Sequence, residues 1–274
     1  MSINIAIVGH GYVGKAVDYG FSTSEVEKFI IDPLYGTTID DLKHKTRLDA
    51  AFVCVPTPFG ANGEIDSSIV EDVVQQLEHF ACPIVIKSTV TPDIVDRLST
   101  ENSMVIYNPE FLTEQNHLND FINPPMHIFG GNEKICQKVY HLYLLHSQCK
   151  PCPSHFMTAK EASFVKYGIN SFLATKVLWF NQFKDIIDDW DGKYNVIVNA
   201  IGNDPRIGHS HTQVPGPDGR KGFGGACFPK DTNAFSTFAK GEFGVLDEVI
   251  KYNNNYRKVY DLDDREKEQK VNYG

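Results

Sequence analysis

Nowhere in these 274 residues does an uninterrupted apolar run approach about 18 residues, so no membrane-spanning helix is indicated. The opening residues, MSINIAIVGHG, lack a basic segment followed by an apolar one; no secretory signal is read, and a cytoplasmic location is expected. Positive charge is in deficit. Against 35 Asp and Glu stand 26 Lys and Arg, a net charge of -9, which argues against broad electrostatic binding to nucleic acid. An anionic small substrate would need a local basic patch instead. Repeats and low-complexity segments are lacking as well. The cysteines at 54, 82, 136, 149, 152 and 227 are scattered through apolar segments, the pattern of reduced thiols and not of a disulfide framework. His146, Cys149, Cys152 and His155 recur at three-residue intervals and could be drawn as a zinc site. Residues so spaced do not converge easily on one ion, and Pro151 and Pro153 stiffen the segment. An ordinary connecting strand or loop is expected there, without metal.

What is present, 42% hydrophobic and 22% charged residues, describes a globular chain long enough for two domains, read as 1–157 and 158–274. Ile3 to Val8 is apolar throughout, as a strand covered on both faces should be. It enters Gly9-His10-Gly11-Tyr12-Val13-Gly14, followed by helical spacing through Val13, Ala16, Val17 and Phe21. A second apolar strand, Phe29 to Ile31, closes on Asp32, 18 residues after Gly14. A G-x-G-x-x-G between strand and helix, with an acid ending the next strand, points to a dinucleotide site. Its glycines allow a tight turn and close approach of a pyrophosphate, and Asp32 would hold the adenosine ribose. Pro33 and Leu34 follow in place of a basic residue, which favours NAD over NADP. Strands at 51–55, 83–87 and 104–107 alternate with helical patterns, implying a mainly parallel, doubly wound sheet. Ligands bind outside the carboxyl ends of such strands, where His10, Asp32, Thr57, Thr89 and Asn108-Pro109-Glu110 fall.

The second half predicts a mainly helical domain on one long helix, about Thr158 to Asp189, whose middle is apolar on nearly every side and so is expected to be buried, either between domains or between subunits. Lys166 and Asn170, at i and i+4, share a face of it. A lysine there is either paired and functional or snorkels to water. A helix at 194–201 leads into a long irregular link, 202–225, containing Arg206 and the turn-rich run Pro215 to Lys221. The link ends in GFGGACFPKD, residues 222–231. Pro229 suits the first turn of a helix, so Cys227 is expected at a helix N-terminus, where the dipole and Lys230 both favour the nucleophilic thiolate. Gly222, Gly224 and Gly225 are read as letting a substrate approach the backbone. A buried cysteine at a tight junction is the plainer alternative. Helices reaching about Ala239 and starting at Val245 follow, and 261–274 is expected to be a solvated, mixed-charge helical tail.

From residue 3 to about Arg257 the chain resembles the nucleotide-sugar dehydrogenases, the family of UDP-glucose and GDP-mannose 6-dehydrogenases. The motifs are GHGYVG at 9–14, VPTP at 55–58, KSTV at 87–90, NPEFL at 108–112, VKYGINSFLATK at 165–176, RIG at 206–208 and GFGGACFPKD at 222–231. The resemblance implies a nucleophilic Cys227, Lys166 and Asn170 stabilising the oxygen of the reacting carbon, and Asp231 positioning the lysine or a water. It implies Glu110 and Thr89 in proton transfer and water positioning, with Gly9, Gly11, Tyr12, Val13, Gly14, Asp32, Thr57, Thr89, Glu114 and Lys230 around NAD. For the substrate it implies Glu110, Phe111, Leu112, Lys166, Asn170, Phe223 and Gly224, with Arg206 reaching the substrate of a second subunit in a homodimer built across the long helix. The reaction so implied is a two-step oxidation of a nucleotide-sugar C6 alcohol to the acid, UDP-glucose foremost.

The chain departs from that pattern in several places. It stops where the family continues into another Rossmann-like domain, so it is a compact member or a piece of one. Thr113 stands in the FLRE-type segment and Met126 where an arginine is expected. An inserted PDGRK suggests that Arg220 and Lys221 supply diphosphate contacts. Two further readings stand beside the first: a single-oxidation β-hydroxyacid-type dehydrogenase using Lys166 and Asn170, and a non-catalytic nucleotide-binding remnant.

Overall fold

The computed structural model describes residues 3–44 and 47–274. Contacts divide the chain into two compact units, Met1–Thr57 with Asp66–Lys166, and Pro58–Ile65 with Tyr167–Gly274. This division differs from the one read off the sequence at 157/158. The boundary falls inside the long helix, because its first turns pack into the first unit: Ser163 Oγ donates to the Val90 carbonyl at 2.7 Å. Pro58–Ile65 joins the second unit because Phe59 N donates to the Gln269 carbonyl at 3.1 Å.

In the first unit, β1 (Ile3–Val8) leads to α1 (Tyr12–Gly20), β2 (Val26–Ile31), β3 (Ala50–Val53), α2 (Ser68–Leu77) and β4 (Ile84–Ile86). α3 (Pro92–Glu101), β5 (Val105–Tyr107), α4 (His117–Ile122), β6 (His127–Gly131), α5 (Glu133–His146) and β7 (Ser154–Met157) follow. Among the described residues the strands form one sheet in the order β2-β1-β3-β4-β5-β6-β7. Its ladders are parallel except for β5 with β6. The sheet is buried on both faces, which is why β1 lacks polar alternation. Ala6 and Val8 pack into one apolar cluster, Ile5 and Ile7 into the other. Burying each such isoleucine stabilises the fold by about 1.5–3 kcal/mol. Because β1 has β2 on one side and β3 on the other, the chain changes winding direction between β1 and β3, the place where doubly wound sheets take ligands.

The second unit begins within α6 (Ala159–Asp189) and continues through α7 (Tyr194–Gly202), α8 (Phe228–Phe238), α9 (Gly244–Arg257) and α10 (Asp264–Glu268). Phe180, Ile187, Tyr194, Val198 and Val214 form one of its cores; Ala174, Leu178, Phe223 and Val249 form another. On α6, Phe172, Trp179 and Ile186 are exposed, as is Trp190 just beyond its end. One expectation needs correction here. The C-terminal segment is not a solvated tail. Glu266, Val271 and Tyr273 are buried, since a capping box at Asp263 starts α10 and Arg257 and Tyr273 both bond to the Glu266 carboxylate.

Candidate active site

At the carboxyl edge of the first unit's sheet, three glycines open the turn from β1 to α1. Gly9 has φ +88° and its Cβ would lie 2.7 Å from the Cys54 carbonyl oxygen, so a side chain is excluded on two counts. A Cβ at Gly14 would lie 1.9 Å from the Gly9 carbonyl oxygen, so glycine also allows α1 to close on the turn. Gly11, the N-cap of α1, is different: among the described residues, and apart from its own chain neighbours, no atom lies within 4 Å of where its Cβ would be. No side chain caps this helix start. The structure therefore requires Gly9 and Gly14 for folding and leaves the space at Gly11 open, the cradle a pyrophosphate needs at a helix N-terminus.

Asp32 is buried beside this turn. One of its carboxylate oxygens accepts from His10 N at 2.6 Å and the other from Leu34 N at 2.9 Å. Each oxygen keeps a lone pair for a ribose hydroxyl, and a carboxylate fixed there repels a 2′-phosphate. The residues present fit NAD. Thr57 and Thr89, both buried, lie in the loops that follow β3 and β4 on the same edge. Val13 packs into the core from α1, whereas Tyr12 is partly exposed with its ring 5.0 Å from that of His117. Glu114 is exposed, and its carbonyl lies 3.1 Å from His117 Nδ1.

After β5, Glu110 forms a second focus in the same unit. Its carbonyl accepts from Lys166 Nζ at 2.6 Å, and its carboxylate lies 3.4 Å from the same ammonium. The other carboxylate oxygen accepts from Leu112 N at 2.6 Å, and the Phe111 ring lies 5.4 Å from Lys166 Nζ. Lys166 is only 3% exposed, so its ammonium does not snorkel to water. Thr113, in the position of the family's arginine, is tied to Asp120 through both its N–H and its hydroxyl. Met126 packs against the apolar core.

Sequence patterns did not reveal the support beneath Glu110. Lys87, at the end of β4, is buried and donates to the Asn108 carbonyl at 2.9 Å and to Asn108 Oδ1 at 3.0 Å. Asn108 Nδ2 in turn donates to the Ile128 carbonyl at 2.7 Å, and Tyr143 Oη to Asn108 Oδ1 at 2.9 Å. Burial pulls the Lys87 ammonium down to about 8. A lysine closing the apolar strand PIVIK was the available signal.

The cysteine belongs to the second unit. As the register of Pro229 predicts, Cys227 is the N-cap of α8, with Pro229 in the first turn. One turn in, Lys230 and Asp231 are both buried. Asp231 Oδ1 accepts from Lys230 Nζ at 2.5 Å, and Oδ2 from Asn170 Nδ2 of α6 at 2.6 Å. Lys230 is thus paired with its neighbouring carboxylate, and Asp231 orients Asn170. Phe223 is buried, with its N–H donating to Asn253 Oδ1 at 2.7 Å.

The glycine-rich run is closely packed from within the fold. A Cβ at Gly222 would lie 2.6 Å from Asn253 Oδ1, and one at Gly224 would lie 2.2 Å from Arg257 Nη2. These glycines admit the Asn253 and Arg257 side chains. Arg220 and Lys221 are likewise engaged within the fold. Arg220 Nη1 donates to the Asp261 carbonyl at 2.8 Å and Lys221 Nζ bonds to Asp185. Arg206 is 86% exposed and bonds to Asp204. Cys149 Sγ donates to the Phe121 carbonyl at 3.2 Å. Among the described residues no three His, Cys, Asp or Glu side chains group to hold a metal ion, and all six cysteines are thiols.

Comparison with known proteins places these residues in a family. The model of the UDP-glucose/GDP-mannose dehydrogenase family, NAD binding domain, matches residues 34–146, and that of the same family's central domain matches 160–255. The UDP-glucose 6-dehydrogenase of Rickettsia bellii is 31% identical over 299 residues, covering 92% of this chain and 67% of the relative. A UDP-glucose 6-dehydrogenase of Bacillus subtilis is 27% identical, covering 94% and 67%. A solved UDP-glucose dehydrogenase from Pyrobaculum islandicum superposes with a TM-score of 0.76 at 26% identity, covering 93% of this chain and 68% of that one. A Mycobacterium tuberculosis 3-hydroxyisobutyrate dehydrogenase shares the fold, with a TM-score of 0.70 at 15% identity, and is covered over 97% of its length. The chain spans about two thirds of the length of the curated relatives it matches. With a cradle that fits NAD, a cysteine heading α8 and a match over both domain models, the chain belongs to the UDP-glucose/GDP-mannose dehydrogenase family, NAD-dependent oxidoreductases acting on CH–OH groups.

Proposed function

We propose that the chain oxidises the C6 alcohol of a nucleotide sugar to the acid in two steps through Cys227, with UDP-glucose as the substrate. The observation that carries this reading is the register of α8: Cys227 at its head, Lys230 and Asp231 buried one turn in, and Asp231 bonded to Asn170. Gly9, Gly11, Gly14 and Asp32 would hold NAD, and two NAD molecules bound in succession would accept the two hydrides. Cys227 adds to the intermediate aldehyde: a C–S bond forms and the carbonyl oxygen gains a proton, so a reactive aldehyde is held as a thiohemiacetal. After the second oxidation the carbon is a thioester, which water cleaves to the acid, restoring the thiol. Lys166 and Asn170, one turn apart on α6, donate to the oxygen on which negative charge develops. Glu110 holds Lys166, and Asp231 holds Asn170. UDP-glucose is favoured because the curated relatives are named for it.

The test is the number of NADH formed per UDP-glucose consumed. Two are expected for the parent, with complete oxidation lost in Cys227→Ser. One NADH, unaffected by Cys227→Ser, would establish the single-oxidation reading. Tight NADH binding without turnover of UDP-glucose, GDP-mannose or UDP-N-acetylmannosamine would establish the non-catalytic one.

The active form is further proposed to be a homodimer across α6. Phe172, Trp179 and Ile186, at seven-residue intervals, are 68%, 52% and 58% exposed, an apolar stripe continued by Trp190. Exposed Arg206 would then reach a second copy's substrate. Light scattering at micromolar concentration should give a dimer for the parent and a monomer for Trp179→Glu/Ile186→Glu; a monomeric parent would refute the arrangement.

A further inference from the structure

The segment that follows α9 is bonded to the loop that delivers Cys227. Loop 216–225 wraps the side chain of Arg257, which is 1% exposed. Arg257 Nη1 donates to Asp218 Oδ2 at 2.6 Å, and Nη2 donates to Glu266 Oε1 at 2.7 Å. Glu266 Oε1 also accepts from Tyr273 Oη at 2.6 Å and from the backbone N–H of Gly225 at 3.3 Å. Its other oxygen accepts from Asp263 N at 2.9 Å and lies 3.6 Å from Arg220 Nη1. One fully buried carboxylate thus joins the loop on both sides of Gly222–Gly224 to the C-terminal segment. It does so two residues before Cys227, and it lies beyond residue 255, where the match to the central-domain model ends.

A buried ion pair is a poor way to gain stability, since an apolar replacement of similar volume is often as good or better. What such a pair does provide is a single register, because a displaced carboxylate or guanidinium would be stranded without a partner. Here the groups held in register are Asp218, Arg220 and Gly225, the two ends of the loop before the nucleophile. We infer that Glu266, with Tyr273 behind it, is a positioning residue for Cys227: segment 261–273 sets where the thiol stands. Its effect on catalysis rests on the function proposed above; its effect on the thiol does not.

The test uses the full chain with Tyr273→Phe and Glu266→Gln and follows alkylation of individual cysteines by iodoacetamide, resolved by peptide mass spectrometry. Tyr273→Phe removes one hydrogen bond to the carboxylate and should speed alkylation of Cys227 about fivefold. Glu266→Gln should have the larger effect. In both, Cys149 should keep the parent rate and NADH its affinity, because both belong to the first unit. With a nucleotide sugar, kcat should fall while the KM for NAD stays constant. Parent-like Cys227 alkylation in a folded Tyr273→Phe protein would overturn the inference, as would equal acceleration at Cys149. A chain that oxidises no nucleotide sugar yet shows selective acceleration at Cys227 would refute the proposed function and leave the positioning role standing.

Discussion

Lys166→Met is expected to lower kcat about 10²- to 10³-fold, a loss of about 2.7–4 kcal/mol of transition-state stabilisation, without changing the affinity for NADH. The ammonium of Lys166 is buried and aimed by two contacts with Glu110, the carbonyl at 2.6 Å and the carboxylate at 3.4 Å, so its direction is fixed before substrate arrives. A donor pre-aligned in a dry site is worth more than the same donor in water, because no solvent must reorganise as charge develops. Lys166→Arg should not rescue the rate, since a guanidinium cannot occupy the same pocket between the Glu110 carbonyl and the Phe111 ring. Lys166→Met strands the Glu110 carboxylate, so Lys166→Met/Glu110→Gln separates the two contributions. If the double variant regains the parent rate, the defect is stranded charge and not a lost donor. Single-turnover rates at saturating substrate are the measurement. A parent-like rate in Lys166→Met would remove the lysine from the chemistry.

How far the fold was legible depended on how local each signal was. β1, the Gly9–Gly14 turn and Asp32 are encoded within a few neighbours, and they stand where the pattern predicted. The register of Cys227 was legible for the same reason, since Pro229 marks the start of α8. β6 carried little signal. It is a short strand ending in two glycines, HIFGG, and pairs antiparallel with β5 in a sheet that is otherwise parallel. α5 does show helical spacing through Ile135, Val139 and Leu142, with Asn132 capping it, and the cysteine–histidine pattern begins only at its last residue. The glycines at 222 and 224 announced a close approach without naming what approaches, and the answer is Arg257 and Asn253. The C-terminal segment, DLDDREKEQKVNYG, reads as solvated because burial of Glu266 depends on partners brought from Arg257 and Gly225 by the fold. Charge composition records how many carboxylates a segment has, not which of them has donors waiting.

Arg257→Met should destabilise the second unit by about 3–5 kcal/mol at neutral pH, because it leaves the Glu266 carboxylate buried with only the more distant Arg220 guanidinium, at 3.6 Å, as a cation. Most of that loss should return in Arg257→Met/Glu266→Gln, where no charge is stranded. The pH dependence follows from the same carboxylate. Burial alone would push the Glu266 carboxyl up, but hydrogen bonds from Tyr273 and the Asp263 N–H, together with the Arg257 guanidinium, hold it below the usual carboxylate value of 4.5. Above 4.5 the folded and unfolded carboxyls are both ionised, and the stabilisation of the paired anion is fully present. As pH falls below that value the unfolded chain takes up a proton first, and the contribution is lost as the folded group titrates in turn. In Arg257→Met the guanidinium's share of the depression is lost while the hydrogen bonds from Tyr273 and Asp263 remain, so acid should neutralise the carboxylate more readily and at less cost to the fold. Urea unfolding of parent, single and double variants at pH 7 and pH 4 measures both effects. The gap between parent and Arg257→Met should be widest at pH 7 and narrower at pH 4, with the double variant near the parent at pH 7. A double variant no more stable than Arg257→Met would mean that the guanidinium matters through the packing of Gly222 and Gly224 around its stem, and not through the charge it meets.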